Sequence, residues 1–177
     1  DQYWRRTPMP KGLTVENEDA YSDYIIEEFR RRREGVWFMN KGEPVYLTGS
    51  HYFALQWCML KDERFTGYMG FRYAQANMFY HTEACVLDTR CLGQFFVKSR
   101  RTGYTFEKLF RMLNEFTTTK QANFGITSKS DEDAKKAFKK LSFAFLNLPF
   151  FFRPIVKNKE DSDVKLEFAK PQSSSSI

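Results

Sequence analysis

Cysteine and histidine are scarce in this chain. Cys58, Cys85, Cys91, His51 and His81 are all that 177 residues contain, and they fall in no C-x-x-C or H-x₃-H spacing. That excludes a zinc centre of the usual kind. Three scattered thiols fit a reducing compartment better than a disulfide framework. Long apolar runs are missing too. Nothing approaches the roughly 18 consecutive apolar residues of a membrane span, and no leader with a charged start and an apolar centre is visible. These absences predict a chain without membrane attachment.

Aromatic residues, by contrast, are abundant: 19 Phe, 9 Tyr and 3 Trp. Such a composition predicts a packed body, and the length is that of one ordinary domain. Lys and Arg number 28 against 22 Asp and Glu, a net charge of +6. An excess of that sign suits an anionic partner, either nucleotide or nucleic acid.

The stretch that carries most information is Phe95 to Thr105. Gln94–Val97, after Gly93, reads as a short buried strand. From Phe106 to Phe116 apolar residues stand at 106, 109, 110, 113 and 116, which is helical spacing. Between them lies Lys98-Ser-Arg-Arg-Thr-Gly-Tyr-Thr105. A strand, a turn and a helix N-terminus bearing Thr can hold polyphosphate: turn amides and the helix dipole face the anion, and the hydroxyl is left for Mg²⁺. The usual phosphate loop reads G-x-x-x-x-G-K-[ST]. Laid on residues 98–105, its second Gly falls on Gly103 and its Ser/Thr on Thr105. Lys98 replaces the first Gly, and Tyr104 replaces the Lys. The cation has changed ends, yet a lysine stem of about 6 Å can still reach β- and γ-phosphates from the end of a strand. The plainer alternative is a glycine-poor connection from strand to helix.

Lys-Ser-x-Arg-x-Gly-Tyr-[Ser/Thr] resembles the deviant Walker A motif of the large terminase subunit, the ATPase that packages DNA into tailed-phage capsids. The resemblance implies an α/β fold: part of a P-loop NTPase of the ASCE type, a parallel sheet flanked by helices, with a helical N-terminal region. It implies ATP and Mg²⁺ as cofactors. Lys98 would meet the β/γ-phosphates, with Ser99, Thr102, Gly103 and Tyr104 around them and Thr105 on the metal. Arg100 or Arg101 would act in catalysis, as the arginine that couples hydrolysis to motion or serves a neighbouring subunit. In terminases a segment upstream of the loop holds adenine between an aromatic ring and a Gln amide. Tyr46–Trp57 is similar in position and character, so Tyr52 and Gln56 become candidates, with His51 behind them; core packing for the ring and solvent for the amide are the alternatives. Partners would be double-stranded viral DNA, the portal protein, the small terminase subunit and further copies in a ring. The location would be the host cytoplasm, transiently at the procapsid portal.

The rest of the chain is arranged around this loop. Residues 1–92 read as a helical and adenine-binding region, 93–170 as the phosphate-loop core, and 171–177 as a Ser-rich flexible tail. A helix is expected over Glu16–Arg33, with Arg30–Arg33 at its basic end, either solvated or against DNA. Two extended pieces, Val36–Met39 and Val45–Leu47, flank a turn. Thr48 or Ser50 caps a helix carrying Phe53 and Trp57, Asp62–Gly70 is a loop, and Phe71–Arg90 is a helix. Within it Ala84-Cys-Val-Leu-Asp88 has the form of a Walker B strand. Its place before the loop and its helical periodicity make Asp88 a helix-end carboxylate instead. Asn123–Thr127 reads as a second strand, Ser130 caps a helix ended by Pro149, and Phe150–Phe152 is expected against the sheet. Val164–Phe168 is a candidate strand.

A working ATPase of this class also needs a strand ending in Asp-Glu. After Thr105 there is only Val164-Lys-Leu-Glu-Phe168, broken by Lys165, and the carboxylate cluster of a nuclease is missing. The expectation is therefore the front half of an ATPase domain, not hydrolysing ATP alone. The alternative from another class is a non-catalytic nucleic-acid-binding or assembly module, in which the Arg run and the aromatic residues hold a strand.

Overall fold

The computed structural model describes residues 4–62, 65–99, 102–119, 123–156 and 165–167. Five helices and two small antiparallel sheets give a mixed α/β architecture. Helix α1 (Ser22–Glu34) is preceded by a 3-10 turn, Val15–Tyr21. The single helix expected from Glu16 is broken there because Asn17 bonds locally: Thr14 N–H donates to Asn17 Oδ1 at 2.8 Å, and Asn17 Nδ2 donates to Gly12 O at 2.7 Å. Strands β1 (Val36–Asn40) and β2 (Glu43–Leu47) then pair from Val36↔Leu47 to Asn40↔Glu43. Lys41 and Gly42 form the two-residue turn, both with positive φ, as a hairpin twist requires.

Helix α2 (Gly49–Gln56) is the centre of the molecule. Thr48 caps it, accepting from His51 N at 3.3 Å. Every residue from Gly49 to Gln56 except the half-buried Ser50 is buried, so α2 has almost no solvent face. Around it pack α1, β2, α3 (Tyr73–Leu87) and α4 (Tyr104–Thr118). Phe53, Leu55, Phe79, Phe110, Leu113 and Phe145 lie together in this core. Helix α5 (Asp131–Leu146) is capped by Ser130 Oγ, which accepts from Asp133 N at 3.2 Å, and lies on α4 and on strand β3 (Met59–Asp62). Strand β3 pairs with β4 (Phe65–Tyr68), a hairpin where the sequence predicts a loop.

Three further expectations differ from the structure. Gln94–Val97 forms no ladder, and Phe95 and Val97 are about nine-tenths exposed (89% and 90%). A strand without a neighbour has nothing to bury its faces against. Likewise 123–127 belongs to neither sheet, and the described residues contain no parallel sheet. Phe150–Phe152 packs on helices rather than a sheet: Phe152 meets Phe29 at 4.9 Å, Trp57 at 5.8 Å and Phe53 at 6.0 Å, all edge-on. Asp88 does stand at the C-terminal end of α3. No helix among the described residues is long and apolar enough to cross a membrane.

Candidate functional site

The loop enters α4 through Gly103, whose φ of 85° is left-handed and favours glycine. Its carbonyl accepts from Glu107 N at 3.0 Å and starts the helix. A side chain here would also collide: a Cβ on Gly103 would lie 2.7 Å from Gln75 Nε2. Gln75, on the first turn of α3, is only 5% exposed, and its Oε1 has no hydrogen-bond partner among the described residues. Thr102 Oγ1 is buried and unpartnered in the same way. Two buried oxygens without partners among the described residues therefore lie at this turn, an arrangement that is costly unless something else satisfies them. Sequence reasoning passes over Gln75, whose signal is an amide on an otherwise apolar helix face.

Tyr104, at the position of the ordinary lysine, lies near two ammonium groups. Lys98 Nζ lies 5.5 Å from its ring centre and Lys108 Nζ 5.3 Å. Lys98 is exposed, as are Ser99 and Thr105. Lys108 is held from behind, donating to Thr82 Oγ1 at 2.6 Å and Gln94 Oε1 at 3.0 Å and pairing with Glu107 Oε2 at 3.5 Å. Burial lowers the Lys108 pKa and raises that of Glu107, each opposed by the other's charge. This buried group ties α3 and the 91–99 segment to the first turn of α4. Arg100 and Arg101 lie outside the described residues. No group of three or more His, Cys, Asp or Glu among the described residues is placed to hold a metal.

Tyr52 and Gln56 stand elsewhere. They line a cleft of about 370 Å³ between the N-terminal arm, α1 and β1, and none of the cleft's lining residues comes from 98–105. Their polar ends are engaged within the fold. Tyr52 Oη donates to Glu28 Oε2 at 2.6 Å, beside Trp57 Nε1 at 2.9 Å, and burial raises the phenol pKa. Gln56 bonds the arm at both ends of its amide, accepting from Thr7 N at 3.2 Å and donating to Thr7 O. An adenine paired with Gln56 would have to displace Thr7. His51 lies between Phe79, stacked at 4.5 Å, and Phe71 at 5.8 Å, where burial lowers its pKa to about 3.

A scan against protein-family models finds no match, and searches of curated proteins and of solved structures find none either.

Proposed function

We propose that this chain carries the nucleotide-binding front of a DNA-packaging ATPase, with ATP–Mg²⁺ held on the loop 98–105. The observation that carries the reading is the turn at Gly103. There a left-handed glycine opens a helix N-terminus, two buried oxygens (Thr102 Oγ1 and Gln75 Oε1) lack partners among the described residues, and an exposed lysine stands at the loop's other end. In this reading Lys98 meets the β/γ-phosphates, Ser99, Thr102, Gly103 and Tyr104 surround them, and Thr105 is the Mg²⁺ ligand. The stacked position of Lys98 over Tyr104 leaves the ammonium free to swing, since a cation–π contact at an exposed site contributes only about 0.5–1 kcal/mol.

Arg100 and Arg101 are the proposed catalytic arginines, and an arginine at a transferring phosphoryl group gives roughly 10³-fold or more. For the adenine, Gln75 is the proposed partner, already against the loop with an acceptor unpaired among the described residues; the expected pair, Tyr52 and Gln56, lines a cleft with no residue from 98–105. The completed fold of this reading is a parallel P-loop sheet flanked by helices. Its partners are viral double-stranded DNA, portal protein, small terminase subunit and further copies in a ring, in the host cytoplasm at the procapsid portal.

Binding of a fluorescent ATP analogue to the chain, with and without Mg²⁺, tests the reading. Lys98→Ala should weaken binding at least 10-fold, and Thr105→Ala should remove the Mg²⁺ dependence. Affinity unchanged in Lys98→Ala would sink the displaced-lysine site.

A further inference from the structure

The cleft between arm, α1 and β1 has features that the loop reading does not use. Trp37 stands on its rim, 71% exposed, on the outward face of the β1–β2 hairpin. Its cross-strand neighbour Tyr46 supports it at 5.3 Å, and the Tyr46 hydroxyl is itself fixed on Glu34 O. One side of the indole is thus backed by a held ring, while most of its surface meets solvent.

Cationic groups surround this platform. Arg5, Arg30 and Arg31 line the cleft against one carboxylate, Glu27. Both Glu27 oxygens are engaged by the helix pair: Arg30 Nε at 2.7 Å and Nη2 at 2.8 Å, and Arg31 Nε at 2.8 Å. Arg5 is exposed and makes no ion pair among the described residues. Trp4, also lining the cleft, has an indole N–H that is buried and without an acceptor among those residues. An open ring, and a guanidinium and an indole N–H both unpaired among the described residues, thus belong to side chains lining one concave site.

We propose that this cleft binds a nucleotide unit of a single-stranded DNA, the base stacked on Trp37 and the backbone phosphate on Arg5. Stacking on Trp37 needs an unpaired base, which a duplex does not present. A diester carries one charge per unit, matching a lone guanidinium rather than the dense cation and metal set that a triphosphate requires. The site is tolerant of base identity, because the amide that could read an edge, Gln56, is closed on Thr7. It is distinct from the loop and stands whether or not ATP binds there.

The test is a titration of the chain with a fluorescein-labelled oligothymidylate of about 12 nucleotides, read by anisotropy and by tryptophan quenching. Trp37→Ala should weaken binding about 10-fold, within the range of one base–aromatic stack. Arg5→Ala should lower the slope of log K against log salt by about 0.7, one phosphate contact on a single strand. Both residues are exposed, and matching thermal melts establish that the variants fold. Excess ATP–Mg²⁺ should leave the oligonucleotide bound, and an equal-length duplex should compete poorly. The proposal is overturned if the oligonucleotide does not bind, or if both variants bind as the parent does. It also falls if ATP–Mg²⁺ displaces the oligonucleotide, which would put the nucleoside triphosphate in the cleft, or if duplex binds more tightly than single strand.

Discussion

Arg32 Nε donates to Asn114 Oδ1 at 2.9 Å, in the interior and across 82 residues of sequence. The same guanidinium reaches Asn114 O at 3.2 Å and Thr117 Oγ1, and Asn114 Nδ2 returns to Arg32 O at 3.3 Å and Ser50 Oγ at 3.2 Å. Helices α1, α2 and α4 are thereby pinned at one point. Phe53 and Phe152 face the guanidinium carbon at 4.3 and 4.4 Å. Arg32 is 1% exposed, and burial lowers its pKa to about 10, which still leaves it charged at neutral pH.

Removing either partner strands the other. Arg32→Met leaves the Asn114 amide buried without its donor, and Asn114→Leu leaves a buried cation short of an acceptor; each should cost about 2–4 kcal/mol in urea denaturation. Paired, the two changes should cost less than their sum by about 1–3 kcal/mol. Arg32→Lys should be nearly as harmful as Arg32→Met, since an ammonium cannot bond Asn114 and Thr117 while lying between two rings. Simple additivity of the pair would show that the bond does not join the helices energetically.

Gly103 and Gln75 form a second testable pair. Alanine at position 103 meets two obstacles: a left-handed φ of 85°, costing about 1–2 kcal/mol, and the Gln75 amide at 2.7 Å. The first is fixed by the backbone, but the second is not. In a Gln75→Ala background the cost of Gly103→Ala should fall toward the backbone term alone. A cost unchanged between the two backgrounds, measured by thermal or urea unfolding, would place Gln75 away from the loop.

Several elements are legible because local chemistry fixes them. Ser130 followed by three acidic residues starts α5, Thr48 caps α2, and apolar residues at helical spacing define α3 and α4. The β3–β4 hairpin escapes notice because its strands are four residues long and expose Lys61, Asp62 and Thr66, too short for any alternation to register. Gln94–Val97 has strand composition, but a strand needs a ladder partner, which local sequence does not supply. At the candidate site the loop, its glycine and its lysine are readable, whereas the contact of Gln75 with Gly103 spans 28 positions and depends on how α3 crosses α4. Gln56 shows the same limit. Its partner Thr7 is 49 residues away, and nothing near Gln56 announces that its amide is already closed.

His51 supplies the pH prediction. Its imidazole is 1% exposed between Phe71 and Phe79, its Nε2 has no hydrogen-bond partner among the described residues, and burial lowers its pKa to about 3. An unfolded histidine titrates near 6.5. Between those values the unfolded chain holds a proton that the folded chain does not, so protonation favours unfolding. Stability is full above about pH 6.5 and falls by about 1.4 kcal/mol per unit as pH drops through that window, or about 2 kcal/mol from pH 7 to pH 5. Glu27, held at about 2 by Arg30 and Arg31, loses its contribution only as pH falls below the ordinary carboxylate range. Glu107, whose pKa burial raises, acts in the opposite sense as pH falls, but it is common to parent and variant, so the difference between them isolates His51. His51→Phe keeps the stack and removes the proton site. The extra ring volume can cost 1–3 kcal/mol at every pH, so the slope is the quantity to read, not the absolute stability. Unfolding free energies from urea titration should fall by about 2 kcal/mol more in the parent than in His51→Phe between pH 7 and pH 5. An equal fall in both would mean that the imidazole is protonated within the folded chain and that the aromatic sandwich around α2 is open to water.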